Sequence, residues 1–165
     1  GTASENAQRT QITAKAEALL FAADRAQHVN ELINPALAAG QVVVTDRYID
    51  SSVAYQGAAR CLGAEEVRDL SLWATDELLP DLTLLLDADP QLAAKRVHTR
   101  NGQSDAIEAE GLQFQYHLRE QFHRLAEQEP ERIKIIDASV EIEQIATQVR
   151  ALVSELLKER GIIDA

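Results

Sequence analysis

The residues best suited to chemistry lie in the stretch 42–60, where an apolar run ends in Asp46, Arg47 and Tyr48. A guanidinium offers a planar pair of donors that matches a phosphate, and a carboxylate is an oxygen ligand for a divalent cation. An acid beside an arginine at the end of a strand therefore suits a metal-bound phosphate. The alternative is a structural Asp–Arg pair that only caps the strand.

Further hydrogen-bonding groups follow Tyr48 at close spacing, namely Ser51, Ser52, Tyr55 and Gln56. A second candidate pair lies upstream, where Phe21 and Arg25 are four residues apart and so share one face of a predicted helix. An aromatic residue such as Phe21 is more often part of a core than of a ligand site. A guanidinium among alanines, in contrast, favours a paired or ligand-facing role for Arg25.

The elements that would position these residues follow from hydrophobic periodicity. Apolar runs predict strands at 41–45, 81–88 and 132–138. Helical spacing predicts helices over 14–39, 50–58, 64–79, 89–99, 107–127 and 139–159. Strands that alternate with helices predict an α/β fold, a three-layer α/β/α arrangement with a mostly parallel sheet, in which ligands bind at the carboxyl ends of the strands. Trp73 is predicted to be a packing anchor within its helix.

Size and charge limit the classes of function. The 165 residues suffice for one domain with a sizeable core. A formal net charge of −11 argues against a nucleic-acid polymer as partner, although a few arginines can still form a local pocket for a small phosphorylated ligand. No apolar run approaches the ~20 residues that a membrane helix needs. Cys61 is the single cysteine, and the four histidines have no ligand-like spacing, so neither residue type predicts a metal site.

Four blocks of sequence together resemble the thymidylate kinases, a family of the P-loop nucleoside-monophosphate kinase group. The blocks are EALLFAADRAQHV at 17–29, DRYIDSSVAYQGAAR at 46–60, PDLTLLLD at 80–87 and KIIDA at 134–138. The tripeptide DRY alone is a weak signal. Its combination with AYQG downstream and LLFAADR upstream is specific, and the resemblance covers nearly the whole chain.

The resemblance implies a P-loop kinase-like fold and a reaction. The γ-phosphoryl group of ATP passes to the 5′-phosphate of dTMP, with Mg²⁺ as cofactor, and the products are dTDP and ADP. It also implies a cytoplasmic homodimer whose partners are the small nucleotides dTMP and ATP, with no nucleic-acid polymer and no membrane. An isolated cysteine agrees with a reducing compartment.

The resemblance also implies a role for each matching residue. Phe21 would stack on the thymine ring, and Arg25 would meet the base or the adjacent phosphate region. Arg47 would bind the dTMP phosphate as a catalytic residue, and Asp46 would lie beside Mg²⁺. The remaining substrate-binding residues would be Ser51 and Ser52 in the acceptor site, Tyr55 against the deoxyribose and Gln56 at the pyrimidine edge.

Two features depart from the family pattern. The motif GxxxxGK[ST], which forms the ATP phosphate-binding loop in the family, does not occur in these 165 residues. With no methionine in the chain, this suggests a single kinase domain, residues 1–165, from which an N-terminal segment with the loop and the first, central strand is missing. The second departure lies in the predicted lid, residues about 98–107, where Ala106 stands in place of the family's arginine and Arg100 could substitute for it as a catalytic residue.

Two other functions stay open on these residues. The absent loop and Ala106 would suit a catalytically impaired nucleotide-binding or regulatory domain of the same family. A related kinase for another acceptor, such as a different deoxynucleotide or a nucleoside, would share the Asp46-Arg47 arrangement. The AYQG match favours dTMP over this last possibility.

Overall fold

The computed structural model describes residues 12–59, 62–101 and 111–164, with only the backbone for residues 58–59 and 97–101. Its helical segments are α1 (Ala14–His28), the π-helical π1 (Val29–Ile33), α2 (Asn34–Ala38), α3 (Ile49–Ser52), the π-helical π2 (Val53–Ala59), α4 (Ala64–Ala74), α5 (Pro90–Asn101), α6 (Leu112–Gln128) and α7 (Ile142–Glu159). The strands of the described chain are β1 (Thr83–Asp87) and β2 (Ile133–Asp137). The α/β class is confirmed.

The two strands pair in parallel, in a register that sets Thr83 opposite Ile133 and Asp87 opposite Asp137. Parallel pairing was predicted from the alternation of strands with helices. Both strands therefore end at the same edge of the sheet, and helices α6 and α7 both contact β2. Among the described residues, no helix combines the length and the apolar character that crossing a membrane requires.

Local sequence explains where the helices begin and end. The Thr13 hydroxyl accepts a hydrogen bond from the Ala16 N–H (3.2 Å) at the start of α1. Asp89 does the same for the Gln91 N–H (2.8 Å) at the start of α5, where Pro90 takes the first helical position as predicted. The predicted helix 14–39 is continuous through π1, and Gly40 ends it with a left-handed backbone (φ 74°).

The core lies between the first helices, the segment after residue 47, and helix α6. Its buried members are Val29, Ile33, Tyr48, Ile49, Val53, Ala54, Leu118, Leu125, Ala126 and Ile133. Ile49 at the start of α3 is completely buried, so the helical turn that follows Asp46-Arg47-Tyr48 is anchored directly in this core. The polar residues of that turn are thereby held against the interior of the protein.

The strand predicted for residues 41–45 is wrong. The segment has no regular structure, and Val42 and Val44 are 58% and 91% exposed. A β-branched run forms a strand only where a neighbouring strand pairs with it. In the part of the chain that the structure describes, the sheet consists of β1 and β2, which pair with each other. The composition of the run indicated a strand, but no described neighbour forms the ladder.

The packing role predicted for Trp73 is also wrong, because its side chain is 80% exposed. The buried positions of α4 are Val67 and Ser71, which lie one turn apart, and a residue two positions after Ser71 faces the opposite way. Helix α4 ends at Ala74 instead of residue 79, since Asp76 and Glu77 adopt left-handed backbones (φ 50° and 59°) that stop the helix.

The structure describes only the first part of the predicted lid. Residues 98–101 continue helix α5, so the first part of the predicted loop is helical. The rest of the predicted lid, including Ala106, and the residues Arg60 and Cys61 lie outside the described residues. The side chain of Arg100 also lies outside them, so its catalytic role stays a prediction.

Candidate functional site

A cleft of about 300 Å³ lies between α1 and the segment 45–56. Six of the seven substrate-binding residues predicted from sequence line it, together with the predicted metal ligand: Phe21, Arg25, Asp46, Arg47, Ser51, Ser52 and Gln56. The volume is at the lower end of what small-molecule sites occupy. Two stretches that are separate in the sequence therefore form one site.

Helix α1 supplies the aromatic and cationic side of the cleft. Phe21 is 43% exposed, so it is not a core residue, although base rates for its residue type favoured the core. The Arg25 guanidinium lies 5.7 Å from the centroid of the Phe21 ring. Its Nη1 donates a hydrogen bond to Ser52 Oγ at 2.8 Å. Burial is the main cause that lowers the pKa of Arg25, with Tyr48 and Asp24 opposing it, and the group stays charged because arginine titrates far above neutral pH.

Arg47 has an uncommon backbone conformation for a residue with a side chain. Its φ of 65° lies in the left-handed region, which costs of the order of 1–3 kcal/mol and occurs often at functional sites. Its Nε donates to Ser51 Oγ (3.3 Å), and its guanidinium carbon lies 4.5 Å from the centroid of the Tyr55 ring. The hydroxyl and the ring together orient the guanidinium at the cleft.

Tyr55 is the predicted substrate-binding residue that does not line the cleft. It is half-buried behind Arg47, and its ring packs against Phe114 and Phe122 of α6, with centroids 6.2 and 6.4 Å away. The described contacts of Tyr55 are with the guanidinium and with α6. A contact of its ring with a deoxyribose stays a prediction.

Gln56 is almost fully buried, and its Nε2 donates to Glu17 Oε1 at 2.9 Å. This bond ties π2 to α1 across the floor of the cleft. An amide has two N–H donors and one carbonyl acceptor, so this bond alone does not use its full hydrogen-bonding capacity. Glu17 belongs to the sequence block 17–29 that resembles the family. Its contact with Gln56 could not be predicted, because the two residues are 39 positions apart and no local pattern links them.

Four further residues line the cleft that sequence reasoning missed: Asp24, His28, Thr45 and Tyr48. Asp24 and His28 could have been found, because they lie on the same helical face as Phe21 and Arg25. Tyr48 donates its hydroxyl proton to the Leu78 carbonyl (3.2 Å), and burial raises the pKa of its phenol. Tyr48 therefore lines the site with an uncharged phenol.

The charges in the cleft suit a phosphorylated ligand. Arg25 and Arg47 come from two elements and meet in one cavity of a chain with a net charge of −11. The two carboxylates of the cavity, Asp24 and Asp46, are the hard oxygen ligands that Mg²⁺ takes. Within the described ranges no three His, Cys, Asp or Glu side chains form a metal-binding group, but Mg²⁺ on a nucleotide needs only one or two protein carboxylates. Asp46 is thus a fitting ligand.

A second charged cluster lies where β1 ends. Arg119 holds the Asp87 carboxylate with two hydrogen bonds of 2.6 Å, and His123 Nε2 lies 3.0 Å from Asp87 Oδ1. The bonds from Arg119 are the main cause that lowers the pKa of Asp87 to about 2. Asp87 therefore carries a full negative charge at neutral pH and anchors α6 to the strand.

Comparisons with known proteins identify the family that this chain matches. A family model described as thymidylate kinase matches residues 2–149. The thymidylate kinase of Bifidobacterium longum subsp. infantis is 52% identical over 148 residues, which are 90% of this chain and 62% of that protein. The thymidylate kinase of Clavibacter sepedonicus is 52% identical over 143 residues, 87% of this chain and 68% of that protein. The thymidylate kinase of Lactobacillus delbrueckii subsp. bulgaricus is 42% identical over 151 residues, which are 91% of this chain and 71% of that protein.

The chain thus spans roughly two thirds of the length of the curated relatives that it matches, and 62% of the first of them.

Proposed function

The chain belongs to the thymidylate kinase family, and from this membership we propose that the protein transfers the γ-phosphoryl group of ATP to dTMP. The observation that carries the proposal is the pair of arginines, Arg25 and Arg47, that converge with an exposed aromatic ring on one cleft. Such a cleft offers an aromatic stacking surface for a base, a cation beside that surface for the base edge, and a second cation for a phosphate. Stacking of a base on an aromatic ring is worth about 1–3 kcal/mol in nucleic-acid complexes.

In this proposal, each part of dTMP has its own binding residues. Phe21 stacks on the thymine, and Arg25 and Gln56 contact its edge. Arg47 binds the 5′-phosphate, with Ser51 and Ser52 completing the acceptor site and Tyr55 near the deoxyribose. Since the hydroxyl of Ser51 and the ring of Tyr55 already orient Arg47, little side-chain entropy is lost when the phosphate binds.

The chemical step needs positioning more than covalent help from the protein. An oxygen of the dTMP phosphate attacks the γ-phosphorus of ATP, the bond from that phosphorus to the β-phosphate oxygen breaks, and ADP leaves. Arg47 holds the attacking oxygen in line and offsets the charge of the acceptor phosphate. Holding two reactants in line can supply several kcal/mol of the barrier reduction.

Mg²⁺ is the proposed cofactor, and Asp46, with Asp24 nearby in the cleft, is the residue that would hold it, directly or through water. When bound, the ion neutralises phosphate charge. Arg100 is proposed as a second catalytic arginine from the lid region, about residues 98–107, where it would substitute for the family's arginine at the position that Ala106 occupies here.

The proposal includes a cytoplasmic homodimer. Large apolar side chains are exposed on α1 and α4, which contact each other, and include Leu19 (50%), Leu20 (60%) and Trp73 (80%). Exposed apolar surface of this kind is typical of interfaces. Sedimentation equilibrium tests this part, and a protein that stays monomeric at micromolar concentration would contradict it.

The reaction is tested by incubating the full-length protein with ATP, Mg²⁺ and a panel of dTMP, dCMP, UMP and thymidine. The proposal predicts that dTDP forms fastest. If ATP is not consumed with any acceptor while dTMP still binds, the impaired nucleotide-binding alternative is favoured. If dCMP or thymidine is the preferred acceptor, the acceptor assignment is wrong.

A further inference from the structure

A buried ion pair holds the short helix that carries Ser51 and Ser52 of the proposed acceptor site. Asp50 stands between Arg47 and Ser51 in sequence, and its side chain is only 9% exposed. Arg132, immediately before β2, binds it with two hydrogen bonds, Nη1 to Oδ2 at 2.8 Å and Nη2 to Oδ1 at 2.7 Å. The two residues are 82 positions apart, so this pair joins distant parts of the chain.

The pair is the centre of a wider network. The Thr83 hydroxyl, at the start of β1, accepts from Arg132 Nη1 at 2.9 Å and donates to Asp50 Oδ2 at 3.3 Å. Glu129, after α6, accepts from Arg132 Nε at 2.8 Å and from Arg68 Nη1 of α4 at 2.9 Å. Both strands, α4 and the end of α6 therefore hold the carboxylate of Asp50 in place.

Hydrogen bonds within the network favour the charged forms of Arg132 and Glu129. Burial alone would lower the pKa of Arg132, but the hydrogen bonds to Asp50 and Glu129 outweigh it and raise that pKa. The bond from Arg132 is the main cause that lowers the pKa of Glu129. Apolar side chains often replace buried ion pairs without loss of stability, so stability alone is a weak reason for a charged network at this place.

The turn that carries Asp50 also carries both hydroxyls of the acceptor site. Ser51 Oγ accepts from Arg47, and Ser52 Oγ accepts from Arg25. A rotation or shift of this turn moves both arginines, and it also strains Arg47, whose left-handed backbone depends on its neighbours. Misplacement of binding groups by about 1 Å can cost about 100-fold in rate.

We propose that Asp50 and Arg132 are positioning residues for the acceptor nucleotide: their ion pair fixes the turn 49–52 so that Arg25 and Arg47 meet one dTMP molecule. The inference rests on the proposed function, because it names what sets the geometry of the same cleft. Neither residue lines the cleft or touches the ligand in this account.

The test separates positioning from stability by replacing the pair with apolar residues. The double variant Asp50→Leu with Arg132→Met leaves no unpaired buried charge. The matched control is Glu120→Leu with Arg124→Met, since this i,i+4 pair on α6 has a similar distance (2.7 Å) but is exposed. For the full-length protein and both variants we would measure the thermal unfolding midpoint, the Kd of dTMP by calorimetry, and the KM values of dTMP and ATP.

We expect the Asp50/Arg132 variant to unfold within a few degrees of the unmodified protein and to bind dTMP about 10- to 100-fold more weakly, with its KM for ATP little changed. The control variant should match the unmodified protein in every measurement. An Asp50/Arg132 variant that is folded and binds dTMP normally would overturn the proposal. A failure of the unmodified protein to bind dTMP would instead refute the proposed function, so the two failures are distinguishable.

A milder variant covers the case in which the double variant does not fold. Thr83→Val removes the hydroxyl that bridges Asp50 and Arg132 but keeps both charges and the shape of the side chain. The loss of the two hydrogen bonds between this hydroxyl and the charged pair should weaken dTMP binding about two- to tenfold without a change in the KM for ATP. Unchanged dTMP affinity in this variant would also contradict a positioning role.

Discussion

Arg25 Nη1 and Ser52 Oγ lie 2.8 Å apart, so helix α1 and helix α3 are joined by a hydrogen bond inside the cleft. Because Ser52 is only 3% exposed, the bond holds Arg25 at a defined depth. The guanidinium can then reach a ligand that lies on the Phe21 ring. Residues of α1 and α3, which are distant in sequence, therefore together form the end of the cleft proposed to bind the base.

Arg25→Ala should weaken dTMP binding about 10- to 100-fold, since a hydrogen bond from a charged group contributes about 1.5–3 kcal/mol. Ser52→Ala is the matched variant, because it keeps the charge and removes only the orienting acceptor, and it should cost less than Arg25→Ala. Calorimetric titration with dTMP measures both. Equal affinity in Arg25→Ala and the unmodified protein would show that Arg25 does not contact the ligand.

Arg47→Lys should weaken the binding of dTMP but leave that of thymidine nearly unchanged. A lysine keeps the positive charge but loses the planar pair of donors that fits a phosphate. Thymidine lacks the phosphate and so reports on the base and sugar contacts alone. A parallel loss of affinity for both ligands would mean that Arg47 supports the whole cleft and does not bind the phosphate.

Tyr55→Ala should lower the free energy of unfolding by about 2 kcal/mol or more, because it removes a half-buried ring that packs against Phe114 and Phe122. Tyr55→Phe keeps the ring and should cost less than about 1 kcal/mol. Urea denaturation measures both. Equal stability of the two variants would contradict the packing role assigned to the ring.

Asp87→Asn should destabilise the protein in a manner that depends on pH. The pKa of Asp87 is lowered from 3.8 to about 2 in the folded protein, so the folded state favours the charged form. The stability gained is fully present above pH ~4 and is of the order of 2 kcal/mol. It is lost as the pH falls towards 2, where the carboxylate becomes protonated in both states.

The measurement is the difference in unfolding free energy between Asp87→Asn and the unmodified protein from pH 7 to pH 2. We expect the difference to be constant down to about pH 4 and to shrink below it. A difference that is the same at pH 2.5 and pH 7 would show that the charge of Asp87 is not what Arg119 stabilises. Asp81→Asn is a suitable control, because Asp81 is exposed and pairs with Arg160 at the surface.

Local sequence patterns predicted the parts of the site that depend on short-range geometry. The four-residue spacing of Phe21 and Arg25 placed both side chains on one helical face, and both line the cleft. The change from apolar to polar residues at Asp46 predicted a ligand site there. Helix starts such as that at Asp89-Pro90 were also predictable, because capping is local.

Features that depend on distant partners could not be predicted. The segment 41–45 has strand composition, but strand formation depends on a neighbour. The Asp50–Arg132 pair joins residues 82 positions apart, and neither position has a local signal. The left-handed backbone of Arg47 is likewise imposed by its surroundings, since only glycine visits this region freely.

The most direct test of the central claim is calorimetric titration of the protein with dTMP, with dCMP and UMP as controls. dCMP changes the edge of the base, and UMP adds a 2′-hydroxyl and removes the methyl group. If Phe21, Arg25 and Arg47 form the acceptor site, dTMP should bind at one site per chain and at least about tenfold more tightly than either control. Equal binding of the three nucleotides, or no binding by the folded protein, would contradict the assignment of this cleft to dTMP.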